Sequence, residues 1–331
     1  MRIFSGIQPT GRKHLGNYIG AITQYVAGQE RGEAIYCVVD LHAITVPYEP
    51  AALRESVYDT AATLLAAGLD PARCIFFRQS DVLEHAELCW LLANVTAYGD
   101  LTRMHQFKEK SAAQRELVSA GLFFYPVLMA ADVLAYRAHE VPVGDDQRQH
   151  VELMRDVAER FNARFGQTLV VPEVRIPEVG ARIMDLQFPE RKMSTTGGSP
   201  QGTIYVLDEP QTVVKKIRAA VTDSGSEVRR GPGKEGISNL IEILAAARGV
   251  RPEEVEREFD GSGYGAFKQA VAEAVVEYLA PVRERYRELR GDAGELERIL
   301  ADGAEKARTI ASATLADVRR AMGVGPVRAG Q

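Results

Sequence analysis

The sequence predicts an α/β fold with a doubly wound parallel sheet, followed by an all-helical domain. Short apolar runs of strand length alternate with helical patterns in the first half of the chain, which is typical of a parallel sheet that is buried on both faces. Strand-like runs disappear after about residue 205. Over 267–289 and 296–322, apolar residues recur mostly at steps of three and four, as in long amphipathic helices.

The predicted elements of the first part follow one another as strand, helix, strand, helix, strand and helix. Ligands of such sheets collect at the carboxyl ends of the strands, so the residues that follow each strand are candidates for a binding site. The strands are predicted at 3–7, 34–39 and 74–77, and the helices at 15–26, 50–67 and 84–95.

Composition excludes several classes of protein. With 331 residues, 46% hydrophobic and 26% charged, the chain is expected to be globular with one or two domains, and neither disordered nor fibrous. The net charge of -5 means that any contact with nucleic acid must come from local basic patches. Cys37, Cys74 and Cys89 are too widely spaced for structural zinc and suit a reducing cytoplasm. No apolar stretch has the length of a signal peptide core or a membrane span, so we expect a cytoplasmic protein with no membrane partner.

The first segment that carries chemistry is SGIQPTGRKHLGN, residues 5–17. A strand runs into a turn with Gly and Pro, and a helix begins near His14, so backbone N–H groups and the helix dipole can bind an anion there. A tight turn without a ligand explains the same residues equally well. The segment matches neither GxGxxG nor GxxxxGKS, which disfavours a dinucleotide site and a P-loop.

The second segment is RKMSTTGGSPQG, residues 191–202. It combines two cations with hydroxyl side chains and glycines, a composition that can surround phosphates with side chains and backbone amides. Considered alone, the segment is better explained as a flexible surface loop.

The third segment is YPVLMAADVLAY, residues 125–136, in which Asp132 is the only charge of an apolar helical stretch. A buried carboxylate needs a hydrogen-bond donor. A ligand group with one donor and no acceptor, such as an indole N–H, would satisfy it. The alternative is an aspartate on the helix surface, with Met129 and Val133 facing the core.

Together, the first two segments resemble the two signatures of class I aminoacyl-tRNA synthetases. QPTGRKHLGN resembles the HIGH signature, and KMSTT resembles the KMSKS signature. FSGIQPTG, VVDLHAIT, QFKEKS, YPVLMAADVL, VPVGDDQRQH and GARIM further resemble bacterial tryptophanyl-tRNA synthetases, and the likeness runs from residue 3 to about 322. It implies a tryptophan-tRNA ligase that activates L-tryptophan with ATP, which carries Mg²⁺, and transfers the product to tRNA(Trp).

The resemblance also implies an organisation. Residues 1–205 would form the Rossmann-like catalytic domain, with inserted helices around 80–160 that make a homodimer, and residues 206–331 would bind the tRNA anticodon. Basic residues of the second domain are candidate phosphate contacts, although solvated helix faces explain them equally well. These residues are Arg229, Arg230 and Lys234, then Arg283, Arg285, Arg287 and Arg290.

The family motifs assign site residues position by position, and no resident metal is among them. The catalytic residues would be Lys192, Thr195, Lys110, Gln8 and Asn17. ATP would contact Gln8, Pro9, Thr10, His14, Gly16, Asn17, Gly144, Asp145, Asp146, Ile183, Lys192, Met193, Ser194, Thr195 and Thr196. Tryptophan would contact Asp132, Phe4, Gly6, His42, Tyr125, Met129, Val141, Val143 and Gln147.

Some of these residues have simpler explanations from the sequence itself. Asp145 and Asp146 could cap a helix that begins near Gly144, and Lys110 could be an ordinary exposed lysine. Thr195 stands where KMSKS has its second lysine, so the enzyme is either weak or compensated by neighbouring groups. Two other functions stay open at this point: a tyrosyl enzyme of the same subclass, and a regulator that binds tryptophan or adenylate without charging tRNA.

Overall fold

The computed structural model describes residues 1–105, 107, 118–144, 147–176, 182–194 and 198–326. Its sheet has five strands in the order β3-β2-β1-β4-β5, and every neighbouring pair is parallel. The strands are β1 (Arg2–Ile7), β2 (Glu33–Val38), β3 (Cys74–Arg78), β4 (Glu140–Pro142) and β5 (Glu173–Arg175).

Helices connect the strands. Beyond residue 210, all the regular secondary structure of the described chain is helical. Within the described ranges, no helix is long and apolar enough to cross a bilayer. The helices are α1 (Leu15–Asn17), α2 (Thr23–Gly28), α3 (Asp40–Ala43), α4 (Pro50–Ala66), α5 (Glu84–Ala93), α6 (Tyr98–Thr102), α7 (Ala120–Leu134), α8 (Arg148–Phe165), α9 (Pro210–Arg218), α10 (Glu235–Arg248), α11 (Pro252–Glu258), α12 (Gly263–Gly291) and α13 (Ala293–Met322), with a π-helical turn at Tyr18–Ile22 and a 3-10 turn at Gln79–Asp81.

The predicted α/β order is confirmed, and two local differences stand out. The helix predicted over 15–26 is divided by the π-helical turn, a feature that is frequent at functional sites. The helix predicted to begin near Gly144 begins instead at Arg148. Glycine is a poor helix former, and the Gly144 carbonyl accepts a hydrogen bond from the Gln147 amide in the connection before the helix.

The strand order places the candidate site. β1 pairs with β2 on one side and with β4 on the other, so the connections diverge from the carboxyl ends of β1 and β4. In doubly wound sheets this divergence opens a crevice in which ligands bind. Residues at and after the ends of these two strands therefore line this crevice.

The helical part shares its apolar cores with the sheet. One core joins Tyr36 and Leu64 to Ile241 and Phe267. On the other face, Phe77 and Leu88 belong to the same core as Val318 of α13. Each core contains residues from before and after residue 205, so the two parts of the chain share continuous cores.

Helix α13 packs against β3, which is an edge strand of the sheet. A Cβ atom added to Gly303 would lie 1.8 Å from the Phe76 carbonyl oxygen, so only glycine fits at this crossing. Polar contacts continue along the helix. Arg78 pairs with Glu297, and Ser312 donates to the Glu84 carboxylate.

Replacing Gly303 with alanine is expected to lower the free energy of unfolding by about 1–3 kcal/mol, because the added methyl group forces the helix away from the strand. Chemical denaturation measures this. Gly265→Ala is the matched control, since its Cβ would meet nothing within 4 Å in α12. The control is expected to be neutral or slightly stabilising. Equal stability of the two variants would contradict the close approach.

Candidate active site

A cavity of about 280 Å³ opens at the carboxyl ends of β1 and β4. Its volume is near the lower end of the roughly 300–1,000 Å³ that is usual for small-molecule pockets, which suits a ligand the size of an amino acid. All nine residues predicted to contact tryptophan line this cavity, together with Gln8 and Gly144 from the predicted nucleotide set. The nine are Phe4, Gly6, His42, Tyr125, Met129, Asp132, Val141, Val143 and Gln147.

Asp132 is the buried acid of this cavity, with only 2% of its surface exposed. Its Oδ2 accepts a hydrogen bond from Nε2 of His42 at 2.7 Å. Its Oδ1 accepts from Nδ1 of His85 at 2.6 Å and from the Gln79 side chain at 2.7 Å. Burial opposes ionisation, but the two histidines outweigh it and hold the pKa of Asp132 well below its usual range. The site therefore presents an ionised acceptor.

The sequence did not identify two of these donors. Gln79 directly follows β3, and His85 lies in the first turn of α5. The rule that ligands gather at strand ends could have indicated Gln79, but nothing in its neighbourhood distinguishes His85. The alternative of a helix-surface aspartate at position 132 is wrong, because the side chain is buried in a hydrogen-bond network.

The HIGH-type turn is a helix start held by its own side chains. Nδ1 of His14 accepts from the Asn17 amide at 3.2 Å, and Oδ1 of Asn17 accepts from the His14 amide at 3.1 Å. This reciprocal capping box fixes the first turn. A Cβ on Gly16 would come within 3.1 Å of the His14 ring and 3.5 Å of Ile183, so glycine keeps the approach to the turn open.

His14 is neutral near pH 7. Burial, and then the positive charges of Lys192 and Lys13, lower its pKa to about 4. Because Nδ1 accepts from the Asn17 amide, the proton of the neutral ring is on Nε2. His14 thus acts as a neutral hydrogen-bond donor. The two signatures lie near one another, since a Cβ on Gly16 would contact Ile183, whose carbonyl accepts from the Met193 amide.

The low pKa of His14 predicts a loss of stability in acid. The unfolded histidine titrates near 6.5 and the folded one near 4, so in this range only the unfolded state binds the proton. The free energy of unfolding should fall by about 3 kcal/mol as the pH drops through this range. His14→Asn keeps a capping side chain without a titrating group. Denaturation at several pH values should show this part of the loss in the unmodified chain and not in the variant; parallel curves would contradict it.

The KMSKS-type segment is anchored at both described ends. The Met193 amide donates to the Ile183 carbonyl at 3.1 Å, and the Thr203 hydroxyl donates to the Ser194 carbonyl at 3.2 Å. Buried Asp185 accepts from the Ser199 amide at 3.2 Å. A Cβ on Gly202 would overlap the Asp185 carboxylate. These contacts hold the ends of the loop while the Lys192 side chain stays exposed.

Backbone hydrogen bonds join the first signature to the residues that follow the second. The Leu15 amide donates to the Ile204 carbonyl at 2.8 Å, and the Val206 amide donates to the Lys13 carbonyl at 2.9 Å. The segment that follows the second signature is thereby attached to the first. A displacement of one signature would act on the other through the 204–206 connection.

Two predicted nucleotide contacts in the first turn differ in exposure: Pro9 is buried and Thr10 is exposed.

Several other predicted residues lie outside the described part of the chain, and their roles stay predictions. Across the described residues, no group of three or more His, Cys, Asp or Glu side chains could hold a metal ion. The predicted residues outside the described ranges are Lys110, Asp145, Asp146, Thr195 and Thr196.

The basic residues of the helical part differ in accessibility. Arg283 is 4% exposed and donates to the Val276 carbonyl, so its prediction as a phosphate contact is wrong. Arg230 binds the carboxylates of three glutamates. Arg229 is the more accessible of the adjacent pair, with its nearest carboxylate 4.0 Å away. Lys234 contacts Tyr264, and the remaining three arginines, Arg285, Arg287 and Arg290, form ion pairs.

Comparison with known proteins decides the family. The model of a family described as tRNA synthetases class I (W and Y) matches residues 1–280. The chain belongs to this family. It is 51% identical over 330 residues to Tryptophan--tRNA ligase 2 of Streptomyces avermitilis, covering 99% of this chain and 98% of the relative. It is 49% identical over 324 residues to Tryptophan--tRNA ligase of Caldanaerobacter subterraneus, covering 98% of each.

Solved structures agree with this assignment. A tryptophanyl-tRNA synthetase from Mycoplasma pneumoniae matches with a TM-score of 0.86 and 36% identity, over 98% of both chains. One from Campylobacter jejuni, complexed with ADP and tryptophan, matches with the same score and identity over 98% of this chain and 100% of the other. The predicted fold class, the likeness to bacterial tryptophanyl-tRNA synthetases and the ligase function are confirmed.

Proposed function

We propose that this ligase forms its product in two steps. A carboxylate oxygen of L-tryptophan attacks the α-phosphorus of ATP, the bond to the bridging oxygen breaks, and pyrophosphate leaves. The ribose hydroxyl at the 3′ end of tRNA(Trp) then takes the acyl group from the adenylate, and AMP leaves. Mg²⁺ would enter with ATP as part of the substrate and would neutralise charge on its phosphates. The observation that carries the choice of amino acid is the ionised, buried Asp132 in the wall of the cavity.

Asp132 favours an indole because an ionised carboxylate only accepts hydrogen bonds. A carboxylate has about four acceptor directions, and three donors from the protein already occupy three of them. The indole N–H would take the remaining one. Met129, Val133 and Val141 line the same cavity and supply apolar contacts for the ring.

The nucleotide is proposed to lie between the two signatures. His14 and Asn17 fix the lower turn, and Gly16 leaves room beside Ile183 for the base to approach. Lys192 would stabilise the charge that grows on the leaving pyrophosphate. Gln8, which lines the amino-acid cavity directly after β1, would lie between the two substrates. The chain then catalyses mainly by positioning, with no covalent enzyme intermediate.

We also propose that residues 206–331 bind the anticodon of the tRNA. Accessible cations on this part of the chain support the proposal, Arg229 foremost among them. Each phosphate contact releases counterions, so tRNA binding should depend on salt.

Arg229→Ala is expected to weaken tRNA binding and to reduce the slope of log affinity against log salt by about 1, while adenylate formation is unchanged. Filter binding at several salt concentrations measures it. Arg230→Ala is the informative contrast, because it leaves Glu242, Glu253 and Glu256 without their shared cation and should lower stability instead. A salt slope that Arg229→Ala leaves unchanged would remove this residue from the tRNA surface.

The homodimer is proposed through the helices around 80–160. Tyr98 is 75% exposed and contacts Phe123, which in turn contacts Phe107, so aromatic residues form a continuous cluster at the surface. Trp90 on α5 is 68% exposed. Sedimentation velocity tests the dimer directly. We place the protein in the cytoplasm, where its three free, buried cysteines would stay reduced.

Tryptophan-dependent exchange of pyrophosphate into ATP tests the proposed reaction, with tyrosine as the control. The ligase is expected to exchange with tryptophan only and then to charge tRNA(Trp). Exchange with tyrosine would favour the tyrosyl alternative. Two tyrosyl-tRNA synthetase structures, from Aeropyrum pernix and Archaeoglobus fulgidus, are 20% and 21% identical to this chain and show the fold alone. Binding of tryptophan with neither exchange nor charging would favour the regulator.

A further inference from the structure

Behind Asp132, a chain of buried polar groups continues away from the cavity. Nδ1 of His85 contacts Oδ1 of Asp132 at 2.6 Å, and Nε2 of the same ring contacts the Tyr136 hydroxyl at 2.5 Å. Both His85 and Tyr136 are 0% exposed. Neither residue is among those that line the cavity, so neither contacts a bound ligand directly, and their hydrogen bonds reach it through Asp132.

The ionised carboxylate determines which atom of the ring faces it. Ionised Asp132 accepts, so Nδ1 of His85 donates to it, and Nε2 on the far side of the ring pairs with the Tyr136 hydroxyl. Burial raises the pKa of Tyr136 well above its usual range, so the phenol keeps its hydrogen. Tyr136 thus holds the ring of His85 in place, and His85 sets the orientation of the Asp132 carboxylate.

Packing prevents the ring of His85 from turning. Its centroid lies 5.5 Å from that of Tyr136 and 5.9 Å from that of Phe77, with both partners at steep angles. Tyr136 also stacks on Phe4, a wall of the cavity, at 5.4 Å. On the outer side, Ser312 of α13 donates to the carboxylate of Glu84, the residue before His85, and so helps to hold this part of the chain in place. The hydrogen bond from His85 to Asp132 is therefore preorganised before any ligand enters.

We propose that His85 and Tyr136 are positioning residues for amino-acid selection, which turn Asp132 so that its free acceptor direction faces the indole N–H. This inference rests on the proposed function, because it assumes that Asp132 binds the indole. It predicts that losing either residue harms the recognition of the N–H group specifically. A residue with a structural role alone would affect any ligand of the cavity equally.

The test compares tryptophan with benzothienylalanine, in which sulfur replaces the indole N–H. Values of kcat/KM in pyrophosphate exchange are measured for both ligands with the full-length enzyme. His85→Leu is expected to lower kcat/KM for tryptophan by about 10- to 100-fold, mainly through KM, and to change the value for the analogue little. The preference for tryptophan should then fall by the same factor. His85→Asn can place an amide donor near the position of Nδ1 and is expected to restore most of the preference.

Tyr136→Phe supplies a second, milder variant, with an expected fall in the preference of about 3- to 10-fold. Its matched control is Tyr36→Phe, which removes the hydroxyl of an equally buried tyrosine that donates to the Tyr25 carbonyl and makes no contact with Asp132. The control should leave the preference unchanged. Parallel losses for both ligands in the His85 and Tyr136 variants would overturn the inference, as would an unchanged preference. Failure of the proposed function is distinct, since the unmodified enzyme would then show no tryptophan-dependent exchange.

Discussion

Asp132→Ala is expected to lower kcat/KM for tryptophan by roughly 10²- to 10⁴-fold while leaving the KM for ATP nearly unchanged. The substitution removes the acceptor for the indole N–H. It also leaves His42, His85 and Gln79 as buried donors without their shared partner. Truncating one partner of a buried, hydrogen-bonded charge pair typically costs about 2–5 kcal/mol in binding, which is of the order of this loss in kcat/KM. Tryptophan-dependent pyrophosphate exchange measures the change.

Asp132→Asn is the matched variant, because it keeps the shape of the side chain and removes its charge. Its amide nitrogen would face a donor from one of the two histidines, so most of the loss should remain. Thermal denaturation of both variants separates a folding defect from a defect in recognition. Unchanged exchange kinetics in Asp132→Ala would show that this carboxylate does not bind the indole.

Lys192→Ala is expected to slow adenylate formation by about 10²- to 10³-fold, the usual effect of losing one preorganised group that stabilises the transition state. Tryptophan binding should change little, because Lys192 is not among the residues that line the amino-acid cavity. The prediction has particular weight here because the family signature has a second lysine where this chain has Thr195. Single-turnover formation of the adenylate gives the rate, and equilibrium dialysis gives the affinity for tryptophan.

Arg191→Ala is the control for Lys192→Ala. It removes the neighbouring exposed cation, whose contacts are with Glu190 and the Phe188 ring. Adenylate formation should stay within a factor of about 3 of the unmodified enzyme, as for most surface substitutions. If both variants slow the step equally, the effect belongs to the net charge of the loop and not to Lys192.

The first three strands could be predicted because they depend on local apolar patterns, whereas the residues of the cavity wall followed from the family resemblance. Apolar runs such as 34–39 are typical of parallel strands that are buried on both faces, and the residues that follow such strands meet at one edge. The sequence could not predict the partners of Asp132, because His85 and Gln79 lie 47 and 53 positions away in ordinary surroundings. Periodicity showed that α13 buries one face, but not that this face covers β3. The burial of Arg283 was equally hidden among charged neighbours on α12.

The cover that α13 gives to β3 has a consequence for how the molecule is made. Arg78 and its partner Glu297 are 219 positions apart, so the strand leaves the ribosome long before the helix that covers it. Until then, an edge of the sheet is open to pairing with other chains, and the segment with Gln79 and His85 lacks its outer support. The amino-acid site is therefore completed late in synthesis. A nascent chain that stops before residue 293 should depend on chaperones to stay soluble and should have no selectivity for tryptophan.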